Sequence, residues 1–238
     1  MFNISNLRKQ LKFKSDPKRA KLLQGFFKTG KGEYAEGDVF LGLTVPETRK
    51  IVGEYKDLSF KEIQELFKSK IHEERQIALM ILVCKYEKAS EAGKMEIFKF
   101  YLKNTKYINN WDLVDLYAPK IVGEYLYNCK QENYKRQTLN KLAKSKNLWE
   151  KRIAMLSTFY FINQKKFEDA LKIAKILLND EHDLIHKAVG WMLREVGKRD
   201  LAQEEKFLKK HYKVMPRTML RYAIEKFPEK KRKMYLNS

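Results

Sequence analysis

Cysteine, proline and glycine are scarce in this chain of 238 residues: two, five and ten copies respectively. Two cysteines, Cys84 and Cys129, set among lysine-rich helical sequence, cannot build a disulfide framework and point to a reducing interior. The longest apolar run, Ile77 to Cys84, is far shorter than the roughly 20 residues that span a bilayer. The opening Met1-Phe2-Asn3-Ile4 lacks the charged and apolar regions of a signal peptide, so a cytoplasmic location is expected. These absences exclude a secreted mini-protein, a membrane protein and a zinc finger. Five of the glycines crowd between Gly25 and Gly42, which leaves the rest almost free of helix breakers.

What is present is charge and helical periodicity. Lys and Arg number 50 against 30 Asp and Glu, a formal net charge of +20, and the first partner that such an excess implies is a polyanion. A lysine-rich proteome would raise the charge of all its proteins and is the bland alternative. With 44% hydrophobic residues the chain is globular, long enough for one large domain or two small ones. Apolar residues recur three or four apart at Phe60, Ile63, Leu66 and Phe67, at Ile77 to Val83, and at Leu171 to Leu178, each marking a helix. Asp16-Pro17 is a helix start, and Thr44 with Glu47 and Ser59 with Glu62 fit the capping box. Only Val39 to Leu43 reads as extended, and one strand makes no sheet. The fold class is all-α.

Four stretches resemble one another, around Gln76, Val114, Arg152 and Lys187, at steps of 38, 38 and 35 residues. Each step holds two helices, with the shared motif in the first turns of one of them, and a looser fifth unit starts near Pro216-Arg217. That is the period of a HEAT-like helical solenoid, in which one layer of helices lines a concave face. A single domain over 1–238 is expected, as a monomer, with a flexible basic loop at 28–38 and a basic concave groove.

Several candidate sites fail on chemistry. Gly25 to Lys31 has the spacing of a phosphate-binding P-loop, but Gly32 stands where Ser or Thr must hold magnesium, and Lys18 to Gln24 is helical instead of a strand. His182 and His186 are four apart but lack a third metal ligand, and Cys84 in its apolar helix packs instead of reacting. No Gly-x-Ser-x-Gly turn supports a hydrolase elbow. The three tryptophans say more. Trp111, Trp149 and Trp191 all fall in repeat motifs, and Asp115, Arg152 and Arg194 follow them by four, three and three residues, on shared helix faces. Aromatic faces attract cations and stack on sugars or bases, while arginine forks grip phosphate. Asp115 is the odd member, because a carboxylate repels a phosphate chain. Either it stabilises positive charge on a sugar during N-glycosidic cleavage, or it caps or pairs with a neighbouring lysine or arginine; spacing puts the structural reading first.

The stretches Phe40-Leu41-Gly42-Leu43-Thr44-Val45-Pro46-Glu47-Thr48-Arg49, Trp111-Asp112-Leu113-Val114-Asp115 and Lys187-Ala188-Val189-Gly190-Trp191-Met192-Leu193-Arg194-Glu195 together resemble the AlkD-type DNA alkylation repair proteins, over roughly Phe13 to Phe227. The resemblance implies an alkylpurine DNA glycosylase built from HEAT-like repeats, acting in base excision repair on duplex DNA that carries cationic N3- or N7-alkylated purines. It assigns the oxocarbenium-stabilising carboxylate to Asp115 and the aromatic pair against the lesion backbone to Trp111 and Trp191. DNA contact falls to Arg152, Arg194, Lys187, Lys151, Trp149, Phe26 and Phe27. The implied enzyme is monofunctional, with no metal or redox cofactor and no strand cleavage. Two departures stand out: Phe26 or Phe27 replaces a tyrosine of the family, and the stretch Thr29 to Asp38 is longer than in the compact glycosylases. Some relatives bind DNA structures without cleaving a base, so a non-catalytic protein for distorted or branched DNA is the alternative.

Overall fold

The structure, a computed structural model, describes residues 3–237; Met1 and Phe2 of the opening stretch lie outside the described residues. All the regular elements among the described residues are helices, as a helical-repeat solenoid requires, and their one β-type contact is a parallel bridge between Val39 and Ile71. The extended stretch at Val39 therefore builds no sheet. The chain divides into two compact units, Met1–Leu113 and Val114–Ser238.

The first unit contains helices α1 (Ile4–Phe13), α2 (Pro17–Phe26), α3 (Val45–Tyr55), α4 (Phe60–Phe67), α5 (His72–Lys88) and α6 (Glu91–Lys103), and the boundary between units falls inside α7 (Trp111–Asp115). The start signals act as the sequence predicts. Asp16 accepts from the Arg19 amide ahead of Pro17, and Thr44/Glu47 and Ser59/Glu62 both close full capping boxes. Helix α5 is central: it is buried without interruption from His72 to Val83 and packs on α3, α4 and α6. A helix enclosed on all sides shows an apolar run instead of a stripe, which is the pattern of Ile77 to Cys84. Its first turn is polar, and buried polar groups must find partners. Glu74 takes a bidentate fork from Arg8, while Glu73 accepts from the backbone amides of Leu41, Gly42 and Leu43. Gly42 is fixed by two constraints: its φ of +88° lies in the left-handed region, and an added Cβ would stand 2.3 Å from the Asp16 carbonyl oxygen. The loop at 28–38 differs from the basic segment expected. It carries Lys28 and Lys31 against Glu33, Glu36 and Asp38, so its own charge is not positive. Glu33 accepts from the Gly30 amide and Glu36 from the Gly32 amide, closing the loop on itself.

The second unit continues through a wide π-type turn at Pro119–Gly123, then α8 (Glu124–Asn128), α9 (Glu132–Ala143), α10 (Leu148–Asn163), α11 (Glu168–Ile176), α12 (Asp183–Gly197), α13 (Leu201–His211), α14 (Arg217–Ala223) and α15 (Glu229–Leu236). Helix α10 takes the place that α5 has in the first unit: buried from Arg152 to Thr158, it packs on the π-type turn, α9, α11 and α12. Helix α12 packs on α14 at Gly190, where an added Cβ would stand 2.4 Å from the Met219 carbonyl oxygen. The glycine of the Lys187–Glu195 motif is therefore a packing residue.

The sequence repeat is also explained. Gln76, Val114, Arg152 and Lys187 all fall in the first turns of their helices, α5, α7, α10 and α12, and Arg217 opens α14. Cys84 and Cys129 are free and half-buried, and among the described residues no helix is long and apolar enough to cross a membrane.

Candidate active site

In the second unit the structure brings together Asp115 and Arg152, from consecutive repeats. The Arg152 fork is bidentate: Nε donates to Asp115 Oδ1 at 2.8 Å and Nη2 to Oδ2 at 2.7 Å. Arg152 Nη1 donates to the carbonyl oxygen of Leu184, so the guanidinium is also tied to the first turn of α12. Both side chains are largely buried, with 12% of Asp115 exposed and 6% of Arg152. A planar fork fixes the carboxylate in orientation as well as in charge, which a lysine cannot do. Of the two readings of Asp115 open from spacing, the pairing with an arginine is present in the structure.

The helix ends around this pair are lined with charge. Lys151 holds Asp180 at 2.6 Å, and Lys187 holds Asp183 at 2.7 Å. His182 caps α12 by accepting from the Leu184 amide, and burial pushes its pKa down, as an imidazole acceptor requires. Trp149, on the same helix as Arg152, is a buried ring at 7% exposure. Trp191 is half-buried and donates its indole N–H to Glu195 Oε1 at 3.3 Å. Burial would raise the Glu195 carboxyl, but Lys198 and Arg199 outweigh it and hold the pKa below the usual range. Arg194 pairs with Glu225.

In the first unit the structure collects the expected aromatic residues into one stack. Phe27 lies parallel to Trp111 at 5.1 Å and to Phe40 at 5.0 Å, and Phe26 meets Phe27 and Trp111 edge-on. Offset and edge-on contacts at these separations are the favoured geometries of aromatic pairs. Phe26 is 64% exposed, so the stack presents an apolar ring at the surface. Beyond Phe40 the stack continues onto a residue the sequence reading did not single out: the His72 ring lies 4.4 Å from Phe40, tilted by 21°. His72 Nε2 is 2.8 Å from Asp112 and Nδ1 is 3.4 Å from Asp38. Arg75 reaches the same Asp38 oxygen at 2.6 Å. Burial alone would lower the His72 pKa, but the Asp112 and Asp38 carboxylates override it and raise it to about 9. Burial would raise the Asp38 carboxyl instead, but His72 and Arg75 bring it below the usual carboxylate range.

A signal for these partnerships exists in the sequence, in the repeat period. Asp115 and Arg152 are 37 residues apart, and His72 and Asp112 are 40 apart, each close to one repeat. Charged residues of opposite sign one period apart, at the starts of equivalent helices, are placed to pair across neighbouring repeats.

Comparison with known proteins gives one family and one fold. No curated protein matches the chain. The solved structure of a predicted DNA alkylation repair enzyme from Enterococcus faecalis superposes with a TM-score of 0.70 at 17% sequence identity, covering 90% of this chain and 97% of that one. At that identity the likeness speaks for the fold. The family described as DNA alkylation repair enzyme matches residues 7–227, nearly the whole chain. With the repeat register, the Trp111–Asp115 helix and the Lys187–Glu195 motif all in place, the chain belongs to the DNA alkylation repair enzyme family.

Proposed function

We propose that this protein is a monofunctional DNA glycosylase that hydrolyses the N-glycosidic bond of cationic N3- or N7-alkylated purines in duplex DNA, opening base excision repair. The observation that carries the reading is the largely buried Asp115 carboxylate, fixed by both arms of the Arg152 fork. As the C1′–N bond breaks, its electron pair passes to the purine, which leaves neutral because the alkylated base began as a cation. Positive charge builds on the sugar. Asp115 stabilises that charge and orients a water, whose oxygen bonds C1′ and whose released proton passes to solvent, leaving an abasic site. A preoriented carboxylate needs no rearrangement when the charge develops, and that is the contribution of Arg152.

Trp111 and Trp191 pack against the backbone of the lesion nucleotide in this reading, and Arg194, Lys187 and Lys151 serve the phosphates. Phe26 and Phe27 add an apolar face for sugar or base, whereas Trp149, expected at the DNA, is a buried ring of α10 and is given no DNA contact. The protein acts as one HEAT-like repeat domain, a monomer, holding DNA along a basic concave face. If about six cationic groups displace counterions, duplex affinity falls about a thousandfold between 50 and 200 mM salt.

The second reading is a non-catalytic protein for distorted or branched DNA. It is favoured by the same fork, since both Asp115 oxygens already accept from Arg152. One assay separates the two: incubate with methylated duplex and measure free base and bound DNA together. Released methylpurine with an intact, alkali-labile strand supports the glycosylase; tight, salt-sensitive binding with no base release supports the second reading.

A further inference from the structure

The buried polar cluster of the first unit has no part in the chemistry described above, and none of the quoted motifs contains His72. We propose that His72 is a positioning residue, a doubly protonated ring bridged between Asp38 and Asp112 that sets the orientation of Trp111. The proposal rests on the role given to Trp111 under the glycosylase reading.

Three observations carry it. Each His72 nitrogen faces a carboxylate oxygen, Nε2 at 2.8 Å from Asp112 and Nδ1 at 3.4 Å from Asp38. A neutral imidazole has one donor and one acceptor, and a carboxylate only accepts, so the doubly protonated ring alone serves both. Charge balance gives the same state. The charged groups facing His72 are Asp38 from the loop, Asp112 from α7 and Arg75 from its own helix, while the neighbouring Glu73 is turned to the amides of Leu41 to Leu43. Two carboxylates and one guanidinium are neutral together only with a second cation.

The second observation is the double route from His72 to Trp111. One runs through the ring stack, His72 on Phe40, Phe40 on Phe27, Phe27 on Trp111. The other runs through the chain: Asp112 follows Trp111, and while its Oδ2 meets His72 its Oδ1 accepts from the Leu113 amide at 2.9 Å, which fixes the first turn of α7. Asn110 accepts from the Trp111 amide at 2.8 Å and holds the other side of the turn.

The third is burial. His72, Asp38 and Asp112 are 2%, 5% and 7% exposed. Buried ion clusters contribute little net stability compared with apolar side chains of the same volume. Stability alone therefore does not account for this cluster, whereas fixing one ring at the end of a stack does.

The test uses the indole N–H resonance of Trp111 in 1H–15N spectra of the full chain, identified by its loss in Trp111→Phe. In the wild type it is expected to shift between pH 7.5 and 10 with a midpoint near 9, together with the His72 ring nitrogens. In His72→Gln it is expected at a displaced position with no such transition. Single-turnover base release at saturating protein is expected to fall about tenfold or more in that variant, since small misplacements of positioning groups cost rates of this size. Its duplex Kd is expected to change less than threefold. A Trp111 resonance that ignores both the His72 titration and the substitution overturns the proposal, whatever the enzyme does. Should His72→Gln fail to fold, the wild-type titration still decides, with Asp112→Asn expected to lower the His72 midpoint and move the Trp111 resonance. Coupling of His72 to Trp111 in a protein that releases no base leaves the positioning standing and overturns the glycosylase reading instead.

Discussion

In Met1–Leu113 the motif residues are held by ring faces, Phe26, Phe27 and Trp111 stacked through Phe40 onto a buried histidine; in Val114–Ser238 they are held by charge, with Asp115 in the Arg152 fork, Trp191 on Glu195, Lys151 on Asp180 and Arg194 on Glu225. On the proposed function, the difference follows from what each group does. An aromatic ring that packs on a nucleic-acid backbone needs its plane fixed, and stacking fixes planes. A carboxylate that must face developing positive charge needs its oxygens aimed, and a two-armed guanidinium aims them. Each unit also builds its arrangement on one enclosed helix, α5 or α10, whose polar first turn meets partners about one repeat away.

The comparison breaks most visibly at the close helix crossing of the second unit. Gly190→Leu places a Cβ 2.4 Å from the Met219 carbonyl oxygen and 2.5 Å from Tyr222 Cβ, so a loss of more than about 4 kcal/mol is expected in chemical denaturation. A loss below 1 kcal/mol would show that α12 and α14 separate freely. The next effect belongs to the first unit. His72 is raised from 6.5 to about 9, so the stability its charged form holds over its neutral form is complete below pH 6.5 and is lost as pH rises through 9, up to about 3 kcal/mol. Glu204, raised by burial from 4.5 to about 8, has the same sign, its contribution declining between those values. Denaturation midpoints of wild type and His72→Gln, compared from pH 6 to 10, isolate the histidine part: the difference between them is expected to shrink at alkaline pH.

Arg152→Lys keeps the charge and loses the two-armed geometry, so base release is expected to fall between tenfold and a hundredfold, with Tm lowered by a few degrees. Unchanged release would show that charge without orientation suffices for Asp115. The smallest effect is expected at the rim. Arg194→Ala removes a partly exposed pair with Glu225 and is expected to cost under about 1 kcal/mol of stability while weakening duplex binding a few-fold, read by titration at fixed salt.

Much of the fold was legible because its signals are local. The capping boxes at Thr44 and Ser59, the helix start at Asp16-Pro17 and the repeat register at Gln76, Val114, Arg152 and Lys187 depend on residues a few positions apart, or on an offset that each repeat restates. The site was legible in residue type and less so in partnership. Trp111, Asp115 and Arg152 stood out by spacing, but that Arg152 turns its fork to Asp115 is a contact across 37 residues. His72 carried no local signal, since Asp38 and Asp112 lie 34 and 40 residues away. The 28–38 loop misleads for a different reason: its two lysines flank glycines in the manner of a basic loop, while Glu33, Glu36 and Asp38 outweigh them.

On the proposed function, Asp115 is what turns a DNA-binding repeat protein into a glycosylase. The most direct measurement is single-turnover release of methylpurine from methylated duplex by wild type and Asp115→Asn, with bound DNA recorded in the same samples. A fall of about a hundredfold or more in release, with duplex still bound, is the predicted result. Release at the wild-type rate from Asp115→Asn would contradict it.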